Sequence, residues 1–238
     1  MSLTRQNMDI RQDDGFAMVV AMMAMLLMAA LGVALVLTTS VEVIIAGNFR
    51  SAAEGLYAAD GILERALSDL LIVGDWNPLL NGTLQSSFID GSPGGARTLP
   101  NGTPIDLNET LDMANCQKST TCTSGDLDEV TAERPWGANN PRWQLYAWGA
   151  LDSLLPAGST RSAFYGVVMV ADDPSENDGN PLRDGAGPGN PGAGVLALRA
   201  EAFGPHGAHT IIEMTIARPD PAEEGVGRAR VLSWRQIR

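Results

Sequence analysis

Oxygen-bearing side chains crowd one stretch of this chain: Ala171-Asp172-Asp173-Pro174-Ser175-Glu176-Asn177-Asp178-Gly179-Asn180, followed by Asp184. A hard cation such as Ca2+ takes about six to eight oxygen ligands, and a loop this rich in carboxylates and amides offers them. Asp172, Asp173, Glu176, Asp178 and Asp184 are the candidate ligands of a calcium site that would stiffen the loop. Their spacing is not that of an EF-hand. Like charges of this kind also fit a solvated acidic turn, so both readings stand. Calcium is the only cofactor the sequence suggests.

Cys116 and Cys122 enclose the polar segment QKSTT. In an exported domain, two cysteines this close favour a disulfide. Closing so short a loop contributes about 2–3 kcal/mol. The alternative is a pair of free or metal-bound thiols, but no histidine lies near and four-ligand zinc spacing is absent. His206 and His209 are the only histidines, and both fall at a predicted turn. No G-x-S-x-G elbow, H-E-x-x-H pair or P-loop occurs. Asp172 and Asp173 are adjacent and would face opposite sides of a strand, a poor acid/base dyad. The chain reads as a non-enzyme.

The elements that must carry these groups begin with an uncharged run, FAMVVAMMAMLLMAALGVALVLTTSV, over residues 16–41. At about 1.5 Å per residue it reaches roughly 39 Å, enough to cross a hydrocarbon core of about 30 Å. It is too long for a secretory signal peptide, whose apolar stretch is about 7–15 residues. A plain anchor and a class III signal, cut on the polar side of the run, are the other readings. Beyond Val41 the apolar residues become periodic. Val41, Ile45, Phe49, Ala52, Leu56, Ala59, Leu63, Ala66 and Leu70 step by three and four and make one helical stripe. No proline falls between Phe16 and Val73. One helix of about 58 residues, roughly 87 Å long, is the economical reading. Its first half suits lipid or a filament core, and its second half suits packing on a globular domain.

Gly15-Phe16 resembles the cleavage junction of type IV prepilins, with Phe16 as the new, methylated N-terminus. Ala46-Gly47-Asn48-Phe49-Arg50, then Ala58-Ala59-Asp60, then Leu63-Glu64-Arg65-Ala66-Leu67 is similar to the signature of PilX-type minor pilins. Asp60 stands where that pattern carries Glu. The resemblance covers about residues 11–70. It implies a pilin-like fold and a subunit that primes or caps type IV pilus assembly. The implied partners are other major and minor pilins, the prepilin peptidase, the pilus assembly platform, a tip adhesin and the membrane. The implied location is the bacterial inner membrane, single-pass with the C-terminal domain in the periplasm, and then the pilus or its tip.

Two departures from the family matter. Major pilins carry Glu at the fifth mature position, where it neutralises a neighbour's N-terminal ammonium inside the apolar core. Here that position is Val20. A subunit with Val20 cannot neutralise a neighbour ahead of it, and an unpaired charge there is costly. That suits a tip-proximal subunit. The leader, residues 1–15, carries Arg5 and Arg11 against Asp9, Asp13 and Asp14, so positive-inside bias is weak. Gly32 and Gly47 loosen the helix by about 1 kcal/mol each relative to Ala.

The chain carries a net charge of −12 and a single lysine, Lys118. Such a surface argues against binding nucleic acid through its phosphates. After the leader come the membrane or filament-core helix 16–40, the amphipathic helix 41–73, a loop-rich segment 74–141 and a β-sheet domain 142–238. In 74–141, Asn101-Gly102 suggests a hairpin. The Asn-x-Thr triplets at Asn81, Asn101 and Asn108 read as turns rather than glycan sites. From Arg142 onward RWQLYAWG, AFYGVVMV, GVLALRAEAF, HTIIEMTIA and RVLSWRQI read as strands. Trp143, Leu145 and Ala147 would face one side of the first strand, and Gln144, Tyr146 and Trp148 the other. Gly204-Pro205-His206-Gly207 makes a turn. The expectation is an α+β, pilin-like fold, with a long N-terminal helix packed on an antiparallel sheet of four or five strands. Trp143, Trp148 and Trp234 are expected in the core or on the sheet. A type II secretion pseudopilin, or a membrane-anchored binding module with the acidic loop as its working surface, are the alternative functions.

Overall fold

With no proline to interrupt it, the N-terminal segment forms one α-helix, α1 (Asp13–Leu70), of 58 residues. The computed structural model describes residues 13–133, 140–153, 161–176, 178–185, 194–218 and 229–237. α1 starts upstream of Phe16 and ends short of Val73, where Ile72 and Val73 close a turn onto Asp69 and Leu70. The chain divides into two units, residues 1–50 and 51–238. In the first, every residue from Gly15 to Arg50 is exposed. In the second, the rest of α1 buries Ala58, Ala59, Ile62, Leu63, Ala66 and Leu70. The three-and-four stripe is therefore a core stripe only in its lower part. Val41, Ile45 and Phe49 lie open.

The partner of that stripe is a five-stranded antiparallel sheet, β3 (Gln144–Ala150), β4 (Tyr165–Asp172), β5 (Val195–Phe203), β6 (His209–Ala217) and β7 (Arg230–Ile237), in that spatial order. One face of the sheet, with Val168, Val170, Leu196, Leu198, Ala200, Ile212, Met214 and Ile216, packs with Ala59, Ile62, Leu63, Ala66 and Leu70. Each fully buried Leu or Ile there contributes about 1.5–3 kcal/mol. Truncating Leu63 to alanine costs about 2–5 kcal/mol. Gly166 on β4 is needed for the close approach, since a Cβ there would run into Ile62 Cδ1 and Leu151 Cδ1.

The other face carries a second core: Leu99, Leu107, Ala114, Trp143, Leu145, Trp148, Tyr165, Val167, Met169 and Ala171. Because both faces are covered, β4 is buried at all eight positions and shows no apolar–polar alternation. β3 departs from the simple alternation its sequence suggests. A bulge between Leu145 and Ala147 inserts Tyr146 against β4 and shifts the phase of every later side chain. Trp148 consequently joins Trp143 and Leu145 in the second core, while Ala147 joins Tyr146 in the first.

Residues 74–133 hold more regular structure than their turn residues suggest. The hairpin β1 (Ala96–Thr98) and β2 (Pro104–Asp106) turns through Asn101-Gly102. α2 (Asn77–Leu80) buries Leu79 and Leu80. α3 (Leu107–Cys116) is N-capped by Asp106, whose carboxylate accepts from Asn108 N and Glu109 N. α4 (Ser124–Glu133) starts from a reciprocal cap. Asp126 N donates to Thr123 Oγ1, and Thr123 N donates to Asp126 Oδ2. Asn108 thus sits in the first turn of α3, not in a loop turn. Asn81 and Asn101 do cap turns, accepting from Thr83 N and Thr103 N.

The two edges of the sheet differ. β3 is covered by residues 86–90: Ser86 N donates to Tyr146 O, Asp90 N to Trp148 O, and Trp148 N to Phe88 O. β7 pairs with β6 and, among the described residues, has no second strand beside it.

Candidate functional site

Two regions hold the residues singled out by sequence. The first is the exposed stretch of α1. Gly15 and Phe16 lie inside the helix, with Phe16 73% exposed and Val20 49% exposed. The large apolar residues from Phe16 to Phe49 are open on every side of the helix. An apolar surface of this extent marks a contact with lipid or protein. Among the described residues α1 is the one helix long and apolar enough to cross a membrane. Its few hydroxyls are internally satisfied: Thr38, Thr39 and Ser40 donate to the carbonyls of Ala34, Leu35 and Val36. Such back-bonding removes the cost of placing a hydroxyl in hydrocarbon.

The residues that carry the sequence resemblance divide between the two units. Ala46-Gly47-Asn48-Phe49-Arg50 is exposed throughout. Ala58, Ala59, Leu63 and Ala66 are buried against the sheet, and Arg65 pairs with Asp69 at 3.1 Å. Asp60 accepts a long hydrogen bond from Trp234 Nε1, 3.4 Å.

The second region is the acidic loop after β4. Oxygens of Asp172, Glu176 and Asp178 come within 4.8 Å of one another. Asp172 and Glu176 are buried and Asp178 is exposed. Burial and the nearby Glu176 carboxylate push the Asp172 carboxyl up to about 8. Glu176 Oε2 accepts from Gly185 N at 3.0 Å. Asp173 and Asp184 do not join this group. Asp173 turns outward and accepts from the backbone and hydroxyl of Ser175. Asp184 accepts from Gly194 N and pairs with Arg218 at 3.2 Å. Arg218 itself lies over the Trp76 ring, 4.2 Å from its centre. Asn177 lies outside the described residues.

Cys116 and Cys122 are joined by a disulfide, with Cα atoms 6.1 Å apart. It ties the last residue of α3 to the segment that leads into α4. Of the histidines, His206 occupies the turn with a left-handed backbone, φ 58°. His209 is instead the first residue of β6, stacked on Phe203 with ring centres 4.4 Å apart.

His209 belongs to an ion cluster that sequence reasoning missed. Glu201 is buried and lies 2.7 Å from both His209 Nε2 and Arg199 Nε. Arg199 also holds Glu213 at 2.9 Å, and Glu213 binds Arg235. Burial pushes the Glu201 carboxyl up, but His209 and Arg199 outweigh it and hold it below the usual range. Arg199 faces Glu213, and Glu213 faces Arg235, at directly paired positions across β5, β6 and β7. The one available signal was four charges spaced within apolar strands. Only the register brings them together. These groups pair with one another, so the cluster fastens three strands.

Comparison with known proteins yields no relative: no family model matches the chain, and no curated protein or solved structure matches it significantly.

Proposed function

We propose that this chain is a minor subunit of a type IV pilus, PilX-like, which primes or caps filament assembly by bundling its N-terminal helix with those of other pilins. The observation that carries this reading is the uncharged, fully exposed stretch of α1 from Phe16 to Val41, beginning at the Gly15-Phe16 junction. Water does not stabilise so long an apolar surface, whereas a bilayer followed by a bundle of like helices covers it. The AGN-x-R segment supports the PilX-like assignment. Val20 supports a place at or near the tip. The subunit waits in the inner membrane with residues 51–238 in the periplasm, and then enters the filament. Prepilin peptidase, the assembly platform, other pilins and a tip adhesin are its partners, and its work is packing rather than catalysis. A type II secretion pseudopilin would use the same helix.

A membrane-anchored binding module is the second reading, favoured by the buried acidic group at Asp172 and Glu176. Mass spectrometry of the N-terminus, after expression with and without prepilin peptidase, separates the two. A peptidase-dependent chain starting at methylated Phe16 is expected. An intact leader, or cleavage far downstream, would overturn the pilin reading. Unchanged incorporation and position of a Val20→Glu variant would remove the tip argument.

A further inference from the structure

Asp172 is 1% exposed, and its Oδ1 has no hydrogen-bond partner among the described residues. A buried polar atom without a partner is costly and uncommon in a native fold. Elsewhere in the same unit buried Glu201 and part-buried Asp184 are answered. Glu201 has Arg199 and His209. Asp184 has Arg218. Around Asp172 the acting charges are Glu176, Asp184 and Asp178, all of one sign. What would answer them is a positive charge small enough to sit among three oxygens.

The geometry points to a calcium site made by Asp172, Glu176 and Asp178 at the end of β4. Three oxygens mutually within 4.8 Å can surround one ion at about 2.3–2.6 Å, the calcium distance, with only slight tightening. All three ligands are hard oxygens, which excludes the sulfur- and imidazole-seeking metals as first choice. Exposed Asp178 leaves one side open for entry and for water ligands, which complete the shell of about six to eight. Two of the ligands are held in place by backbone contacts. Asp172 is the last residue of β4 and pairs with Leu196 of β5. Glu176 is steadied by Gly185 N, which donates to its Oε2. Asp173 and Asp184 are left out, Asp184 because Arg218 already neutralises it. A bound ion would fasten Glu176 and Asp178 to the end of β4.

The test uses the purified full-length chain in detergent, stripped of metal by chelation, and titrated calorimetrically with calcium chloride at pH 7. One equivalent of saturable calcium binding is expected, tighter than magnesium. At calcium a hundredfold above Kd, the unfolding midpoint rises by roughly 5–10 °C. Asp172→Asn abolishes both the heat and the midpoint shift. Asp178→Asn, at an exposed position that leaves the fold intact, weakens binding at least tenfold. No saturable heat from the unaltered chain would overturn the assignment. So would magnesium binding more tightly than calcium, or calcium binding that survives both substitutions.

Discussion

Glu201 and Asp172 are both buried carboxylates on neighbouring strands of one sheet, 3% and 1% exposed, yet they titrate in opposite directions. Glu201 lies between Arg199 and His209 and is held below its ordinary value of 4.5. Asp172 faces other acids and is pushed from 3.8 to about 8. Burial is common to both, so burial alone does not decide the outcome. The partner does. An acid that folding surrounds with cations becomes a fastener, and one that it surrounds with acids becomes a seat for a proton or an ion.

The largest expected effect is on the pH dependence of stability with calcium removed by a chelator. Folding raises the Asp172 pKa, so the folded chain keeps a proton that the unfolded chain releases near pH 4. That contribution is complete at low pH and is lost as pH rises toward about 8. Glu176, Asp178 and Asp184 face it and act in the same direction. Stability to denaturant should fall by several kcal/mol over that range, at about 1.4 kcal/mol for each pH unit separating the folded and unfolded titrations. Asp172→Asn should flatten the decline, and a slope that persists in the variant would locate it elsewhere.

Next in size, Glu201→Gln takes from Arg199 one of its two carboxylate partners and from His209 Nε2 its carboxylate. A loss of about 3 kcal/mol is expected in denaturant unfolding. A cost under about 0.5 kcal/mol would mean that the cluster is ornamental. On the acid side the two carboxylates should separate again. The Glu201 contribution is present above its ordinary pKa and disappears as pH falls below it, and Glu201→Gln should remove that part of the acid limb. The smallest effect is Arg235→Ala, because this side chain is 71% exposed. Its pair with Glu213 should be worth about 0–1 kcal/mol and should weaken with salt.

Much of the fold was legible because its signals are local. The proline-free helix and the five runs of β-branched or aromatic content sit within a few residues of their expected bounds. Asn101-Gly102 marks its hairpin. The helices of 74–133 were not legible, because α3 and α4 announce themselves mainly through caps. Asp106 with Glu109, and Thr123 with Asp126, are short signals among many turn residues. The side of β3 taken by Trp148 depends on the bulge at Tyr146, which no pattern in RWQLYAWG discloses. In the acidic loop the residue types were readable, but not which carboxylates turn inward. Asp184 is claimed by Arg218, from just beyond the end of β6. The Arg199–Glu201–Glu213–Arg235 row exists only once the register of three strands is set.

The order of strands in the sheet is also their order along the chain. Each strand from β4 onward can therefore zip onto its predecessor as soon as it is made, with only one loop to close at each step. The buried stripe of α1 has no such convenience. Its partners Phe164, Leu198 and Ile212 lie roughly a hundred residues or more downstream. Through most of synthesis Ile62, Leu63 and Leu70 wait without their sheet partners, and an exposed apolar helix in a half-made chain invites aggregation. The last step of maturation is then the docking of an old helix onto a new sheet, which gives a holdase or a lipid surface the longest opportunity to act at that stripe.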